Sequence, residues 1–129
     1  MEHFKGKTLI LADDDQFNIF ALTSALEDYG FNIITAGNGK EVISRLEDTA
    51  HVDIVLMDIM MPEMDGYEAM RRIRADGKYN DMPIIALTAR AMRNDIDNCM
   101  RAGATGYLSK PIDVTALVNM MDALLAPKV

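Results

Sequence analysis

The stretch Asp53-Ile54-Val55-Leu56-Met57-Asp58-Ile59-Met60-Met61-Pro62-Glu63-Met64-Asp65-Gly66 constrains this chain more than any other. Its core, Ile54 to Met57, is apolar on both faces of an extended strand, which suits the buried centre of a parallel sheet. Where that pattern calls for another Val or Leu, the sequence has Asp58. Met61-Pro62 and Asp65-Gly66 then force a turn before a helix can begin. Open α/β sheets place their chemistry at the carboxyl ends of central strands, so Asp58 is the residue to be explained. Taken alone, it would serve equally well as a helix or loop cap.

The rest of the chain repeats the alternation. Short apolar runs predict strands at 8–12, 31–36, 53–57, 83–88 and 106–109, and helical periodicity predicts helices over 16–29, 39–48, 67–75, 92–102 and 114–125. Leu22, Ala25, Leu26 and Tyr29 form the inner face of the first helix. Val42, Ile43 and Leu46 do so for the second, and Leu117, Val118, Met121 and Leu124 for the last. Gly30 and Gly103 stop helices, residues 1–7 read as a polar leader, 76–81 as an exposed link, and Pro127 as a closing residue. Strands alternating with helices make an α/β domain, a doubly wound five-stranded parallel sheet flanked by five helices. One domain over residues 1–129 is expected, without linker, repeat or output domain.

Composition removes several function classes. A net charge of -7 repels phosphate backbones and argues against nucleic-acid binding. No window is long and apolar enough for a membrane span or signal peptide. Cys99 stands alone, which excludes an internal disulfide and fits the reducing cytoplasm. The eleven methionines fall mostly at core-like spacings and read as filler, while His3 and His51 are too isolated for a zinc site.

Four strands end on polar residues: Asp13 and Asp14, Asp58, Thr88, and Lys110. Parallel strands bring these ends to one edge. With strand order 2-1-3-4-5, Asp14 and Asp58 sit about one strand spacing apart, roughly 5 Å. Carboxylates that close must take up a proton or share a cation, and an all-oxygen pair suits Mg²⁺. Thr88 flanks Asp58 on the other side, and the Lys110 side chain is long enough to reach it. A hydroxyl, an ammonium and a metal around one carboxylate suit phosphoryl transfer to Asp58. Taken singly, Asp13, Asp14 and Asp15 suit a cap on the first helix, Thr88 a strand-end hydroxyl, Lys110 a solvated charge, and Tyr107 ordinary packing.

Together, the Asp13-Asp14 pair, Asp58 before Met61-Pro62-Glu63-Met64-Asp65-Gly66, Leu87-Thr88-Ala89 and Tyr107-Leu108-Ser109-Lys110-Pro111 carry a resemblance. Over essentially its full length the chain resembles the receiver (response-regulator) domain of two-component signalling, a flavodoxin-like fold. The resemblance implies a phosphorylatable switch rather than an enzyme, one that assists its own phosphorylation and dephosphorylation. It makes Asp58 the phosphoacceptor, and gives Mg²⁺ to Asp14, Asp58 and the Met60 carbonyl, with Asp13 acting mainly through water. Thr88 and Lys110 become phosphoryl contacts, Tyr107 the ring that turns inward on activation, and Lys110-Pro111 a cis bond. Asp15-Gln16-Phe17-Asn18 and the segment 95–103 look most like receivers attached to hybrid sensor kinases. Met60 and Arg90, two residues past Asp58 and Thr88, differ from the amide and carboxylate of the fastest self-hydrolysing receivers, which implies slow loss of phosphate.

A haloacid-dehalogenase-like phosphatase using Asp13 is the rival class, since Asp13 and Asp15 follow an apolar strand. Against it, Gln16-Phe17 replaces the expected Thr or Val, and no acidic pair follows Lys110 at a strand end. The expected partner is a histidine kinase or histidine phosphotransfer protein. Phe17, Ile19 and Phe20 add apolar groups to the opening turn of a helix already supplied with an inner face, and they cannot all point inward. In similar receivers Ile19 and Phe20 occupy outward positions, and Pro111 and Ile112 are placed to extend such a docking patch.

Overall fold

A computed structural model describes residues 4–89 and 92–126. The expectations attached to His3, Arg90 and Pro127 lie outside the described residues. In chain order the elements are β1 (Thr8–Ala12), α1 (Gln16–Glu27), β2 (Asn32–Ala36), α2 (Gly39–Asp48), β3 (Ile54–Asp58), α3 (Gly66–Ala75), β4 (Ile84–Thr88), α4 (Arg93–Ala102), β5 (Gly106–Ser109) and α5 (Val114–Leu125). The strands form one parallel sheet in the order β2-β1-β3-β4-β5. The doubly wound arrangement read from the sequence is therefore the one observed.

Alternation along each central strand divides the interior into two layers. Leu9, Leu11, Ile54, Leu56, Ile85 and Leu87 point to the layer shared with α1 and α5. Ile10, Ala12, Val55, Met57, Ile84 and Ala86 point to the opposite layer, where Met61, Met64, Met70 and Met82 fill space among alanines and Cys99. Most methionines thus serve as packing, and Cys99 is fully buried.

Two local expectations are corrected. The stretch 1–7 is not simply polar, because Phe4 is wholly buried, stacked at a tilt on Phe31 (4.9 Å) and meeting Tyr29 edge-on (5.9 Å). Helix α1 ends at Glu27, so Tyr29 lies beyond it, partly exposed, and packs on Phe4 instead of the sheet.

The two ends of β3 are both marked by carboxylates. Below its first residue, Asp53 Oδ2 accepts the Thr8 amide at 2.8 Å, while Oδ1 lies 2.8 Å from His51 Nε2 and 3.9 Å from Lys7 Nζ. At the other end, the loop from β3 to α3 is held closely. A Cβ on Gly66 would meet the Asp58 carbonyl at 2.6 Å, so only glycine lets α3 start against the strand end. Asn38 caps α2 by accepting the Glu41 amide and donates to Glu63 Oε2 at 2.9 Å. Glu63 has φ 64, a left-handed conformation uncommon for its type, and the Asn38 contact holds it from across the site.

Candidate functional site

Each polar strand end arrives at the same edge because the strands are parallel. Asp13 follows β1 and is fully buried, with Oδ1 accepting the Asp15 amide at 2.9 Å. Asp58 closes β3 at 3 % exposure, and its Oδ1 accepts the Met60 amide at 3.3 Å. Lys110, just past β5, spans the distance expected of its side chain: its Nζ donates to Asp13 Oδ2 at 3.1 Å and lies 3.2 Å from Asp58 Oδ2. The Lys110-Pro111 bond is cis, as the resemblance implied. Thr88 closes β4 and is buried, with its carbonyl accepting the Lys110 amide at 2.7 Å. Asp15 is the cap of α1, accepting the Phe17 amide at 2.9 Å, which leaves Asp13 and Asp14 for other roles.

Two buried carboxylates, Asp13 and Asp58, thus share one ammonium. Burial, then the Asp13 charge, push the Asp58 carboxyl up to about 6, against the opposing pull of Lys110. The Lys110 ammonium is depressed by burial but pushed up further by its bond to Asp13 and the charges of Asp58 and Asp13, so it stays protonated. The like charge pressing most on Asp58 is Asp13, and not the neighbouring Asp14 that strand spacing suggests. Asp14 is exposed, yet one oxygen from each of Asp13, Asp14 and Asp58 lies within 4.8 Å of the others. This all-oxygen set, short of positive charge, fits a hard divalent cation such as Mg²⁺.

The remaining expectations sort by exposure. The Met60 side chain is 66 % exposed beside the cluster. Tyr107 is half-buried and packs against the methionine-rich layer. On α1, Phe17 (78 %) and Phe20 (71 %) are open to solvent, whereas Ile19 is half-buried and packs inward with the α1/α5 layer. The expectation that Ile19 points outward is corrected: Phe17 takes that place. Pro111 is exposed, and Ile112 is half-buried at the lip of a groove of about 480 Å³ between α1 and the loop after β5. Sequence reasoning missed the Asn38–Glu63 contact, for which the only signal was Asn38 between two glycines. No described helix is long and apolar enough to cross a membrane.

With that geometry in hand, the comparisons are specific. A family model described as the response regulator receiver domain matches residues 9–122. A probable histidine kinase 4 of Oryza sativa subsp. japonica is 33 % identical over 142 residues, covering 95 % of this chain and 14 % of the kinase. The chain therefore spans about a seventh of that curated relative's length. The receiver domain of the sensor histidine kinase PA1611 from Pseudomonas aeruginosa PAO1, solved with magnesium coordinated in its active-site cleft, is 32 % identical. Its TM-score is 0.87, covering 95 % of this chain and 99 % of that one. The receiver domain of the response regulator Ssk1 of Saccharomyces cerevisiae, solved with the histidine phosphotransfer protein Ypd1, matches with TM-score 0.87 at 25 % identity, covering 95 % and 90 % of the two chains.

Proposed function

The chain belongs to the response regulator receiver domain family of two-component signalling, and on that premise we propose that Asp58 is its phosphoacceptor and that a phosphohistidine protein is its donor. The observation carrying this reading is the convergence of buried Asp13 and Asp58 on the Lys110 ammonium at the sheet edge where buried Thr88 also ends its strand. The family assignment leaves the phosphatase reading on Asp13 without support.

Transfer begins with the ionised Asp58 carboxylate, whose oxygen attacks phosphorus while the donor nitrogen or oxygen leaves. Burial makes that oxygen poorly solvated and so a ready nucleophile. Lys110 already lies beside the Asp58 oxygen and supplies positive charge to the arriving phosphoryl group. Thr88 offers a hydroxyl on the other side, and Tyr107 fills the space left when that hydroxyl swings toward phosphate, which shifts the packing of β4, α4 and β5. Asp14, Asp58 and the Met60 carbonyl, with Asp13 through water, would hold Mg²⁺, which supplies neutralisation of phosphoryl charge.

The donor docks on the exposed Phe17 and Phe20 with Pro111 and Ile112 at their edge, presenting a helical bundle that lays its imidazole over Asp58. This activity belongs to the cytoplasm, in a receiver unit over residues 1–129, of the kind found in hybrid sensor kinases. The test pairs two donors in the presence of Mg²⁺. Intact mass rises by one phosphate with acetyl phosphate or with a phosphorylated histidine phosphotransfer protein. Phe20→Ser lowers transfer from the protein at least tenfold and leaves acetyl phosphate labelling near wild type. Equal losses from both donors would refute the docking surface.

A further inference from the structure

Asn38 opens α2 with both ends of its amide engaged, and only one end is needed by the helix. Its Oδ1 accepts the Glu41 amide at 2.9 Å, a cap that Ser or Asp would supply as well. Its Nδ2 donates to Glu41 Oε2 at 3.3 Å and, at 2.9 Å, to Glu63 Oε2, 25 residues further along in the loop between β3 and α3. Asn38 is buried and Glu63 exposed, so the contact ties a loop side chain to a fixed point.

Glu63 is also where that loop is strained. The Met64 amide donates to the Pro62 carbonyl at 2.7 Å, closing a three-residue turn around Glu63 at φ 64. A γ-turn with positive φ at its centre is the rarer, strained form, and glycine is the residue that reaches positive φ without a Cβ clash. Any other residue persists there only when its surroundings over-determine it. The main chain is fastened on both sides of the turn. The Ile59 amide donates to the Leu87 carbonyl at 3.1 Å and the Gly66 amide to the Ile59 carbonyl at 2.9 Å, while the Gly39 amide holds the Met64 carbonyl at 2.9 Å. Met60, Met61 and Pro62 lie between these fastenings, and the turn at Glu63 sets the path they follow.

We propose that Asn38 is a positioning residue for the cation site. By holding Glu63 at positive φ it fixes the segment that presents the Met60 carbonyl, and so raises the affinity for Mg²⁺. The inference rests on the reading of Asp14, Asp58 and the Met60 carbonyl as the ligands. Asp58 stands on β3, whereas the Met60 carbonyl is part of the loop's own main chain and moves with any change in its path. Removing an outer group that orients a ligand commonly costs roughly ten- to a hundredfold in metal affinity.

The experiment measures Mg²⁺ affinity of the whole chain by amide chemical-shift titration, without phosphodonor, in a double-mutant cycle. Asn38→Ser keeps the cap but loses the reach to Glu63, and weakens Mg²⁺ binding roughly tenfold. In Glu63→Gly, whose backbone no longer needs holding, the same change at Asn38 has no further effect. Glu63→Gln, still able to accept from Asn38, stays near wild type, and Glu63→Ala, at an exposed position, weakens as Asn38→Ser does. In chelator, the Met64 amide exchanges several-fold faster in Asn38→Ser than in wild type, which reports the turn with no metal present. Acetyl phosphate labelling of Asn38→Ser falls at low Mg²⁺ and is restored at saturating Mg²⁺, so the acceptor is read separately. Unchanged Mg²⁺ affinity in Asn38→Ser, or an equal loss in the Glu63→Gly background, would overturn the role of Asn38 while leaving Asp58 as acceptor. A wild-type chain that binds no Mg²⁺ would overturn the cation site and this role with it.

Discussion

Asp53 and Asp58 bracket the same strand, and nearly everything about them except their chemistry differs. Asp53, at the entry to β3, gives one oxygen to the Thr8 amide and the other to His51, with Lys7 at the margin. Each of its oxygens has a donor, and it joins the edges of β1 and β3. Asp58, at the exit, has the Met60 amide at 3.3 Å and shares one ammonium with the equally buried Asp13. The first carboxylate is matched to its surroundings, and the second is held where its charge is poorly met. What the difference teaches is that the fold stabilises one end of the strand and stores unmet negative charge at the other, where a cation and a phosphoryl group can answer it.

The largest effect expected from breaking this contrast comes from neutralising the crowded end. The Asp58 carboxyl titrates at about 6 in the folded chain against an ordinary 3.8, so the folded state holds its proton more tightly than the unfolded state. Its contribution to stability is full below about 3.8 and is lost as pH rises through about 6. The gap corresponds to roughly 3 kcal/mol. In chelator, Asp58→Asn should therefore gain on wild type by about that amount at pH 8, and the gain should vanish near pH 4. Denaturant unfolding across pH checks it, and a difference that does not vary with pH would break the contrast.

A smaller effect of opposite sign is expected at the matched end. Asp53→Ala strips the partly buried Thr8 amide of its acceptor and should cost about 1–3 kcal/mol of stability at pH 7. Phosphoryl acceptance by the folded fraction should stay near wild type. The same unfolding series, with acetyl phosphate labelling, separates the two: an Asp53→Ala protein that is stable but unlabelled would mean that the sheet edges are not independent.

The central strands and their polar ends were legible in the sequence because both are written in short-range pattern. Unbroken apolar runs at β1, β3 and β4 name buried parallel strands, and a carboxylate, hydroxyl or lysine where each run stops names the edge. Long-range packing was less legible. Phe17, Ile19 and Phe20 are all apolar within the opening turn, and only the rotation of α1 against the sheet decides that Ile19 goes in and Phe17 stays out. Phe4 sits among polar residues and is buried where residues from elsewhere in the chain, Phe31 and Tyr29 among them, meet it. Likewise, whether Asp13 or Asp14 presses on Asp58 depends on which carboxylate turns inward after β1, a matter of one peptide that adjacent aspartates do not disclose.

The account stands on Asp58, rather than Asp13 or Asp53, receiving the phosphoryl group. The direct measurement is to phosphorylate the chain from a phosphohistidine protein with Mg²⁺, reduce the acyl phosphate with borohydride, and map the reduced residue by tandem mass spectrometry. The account predicts homoserine at position 58 alone, with no label in Asp58→Asn. Reduction at Asp13, persisting in Asp58→Asn, would contradict it.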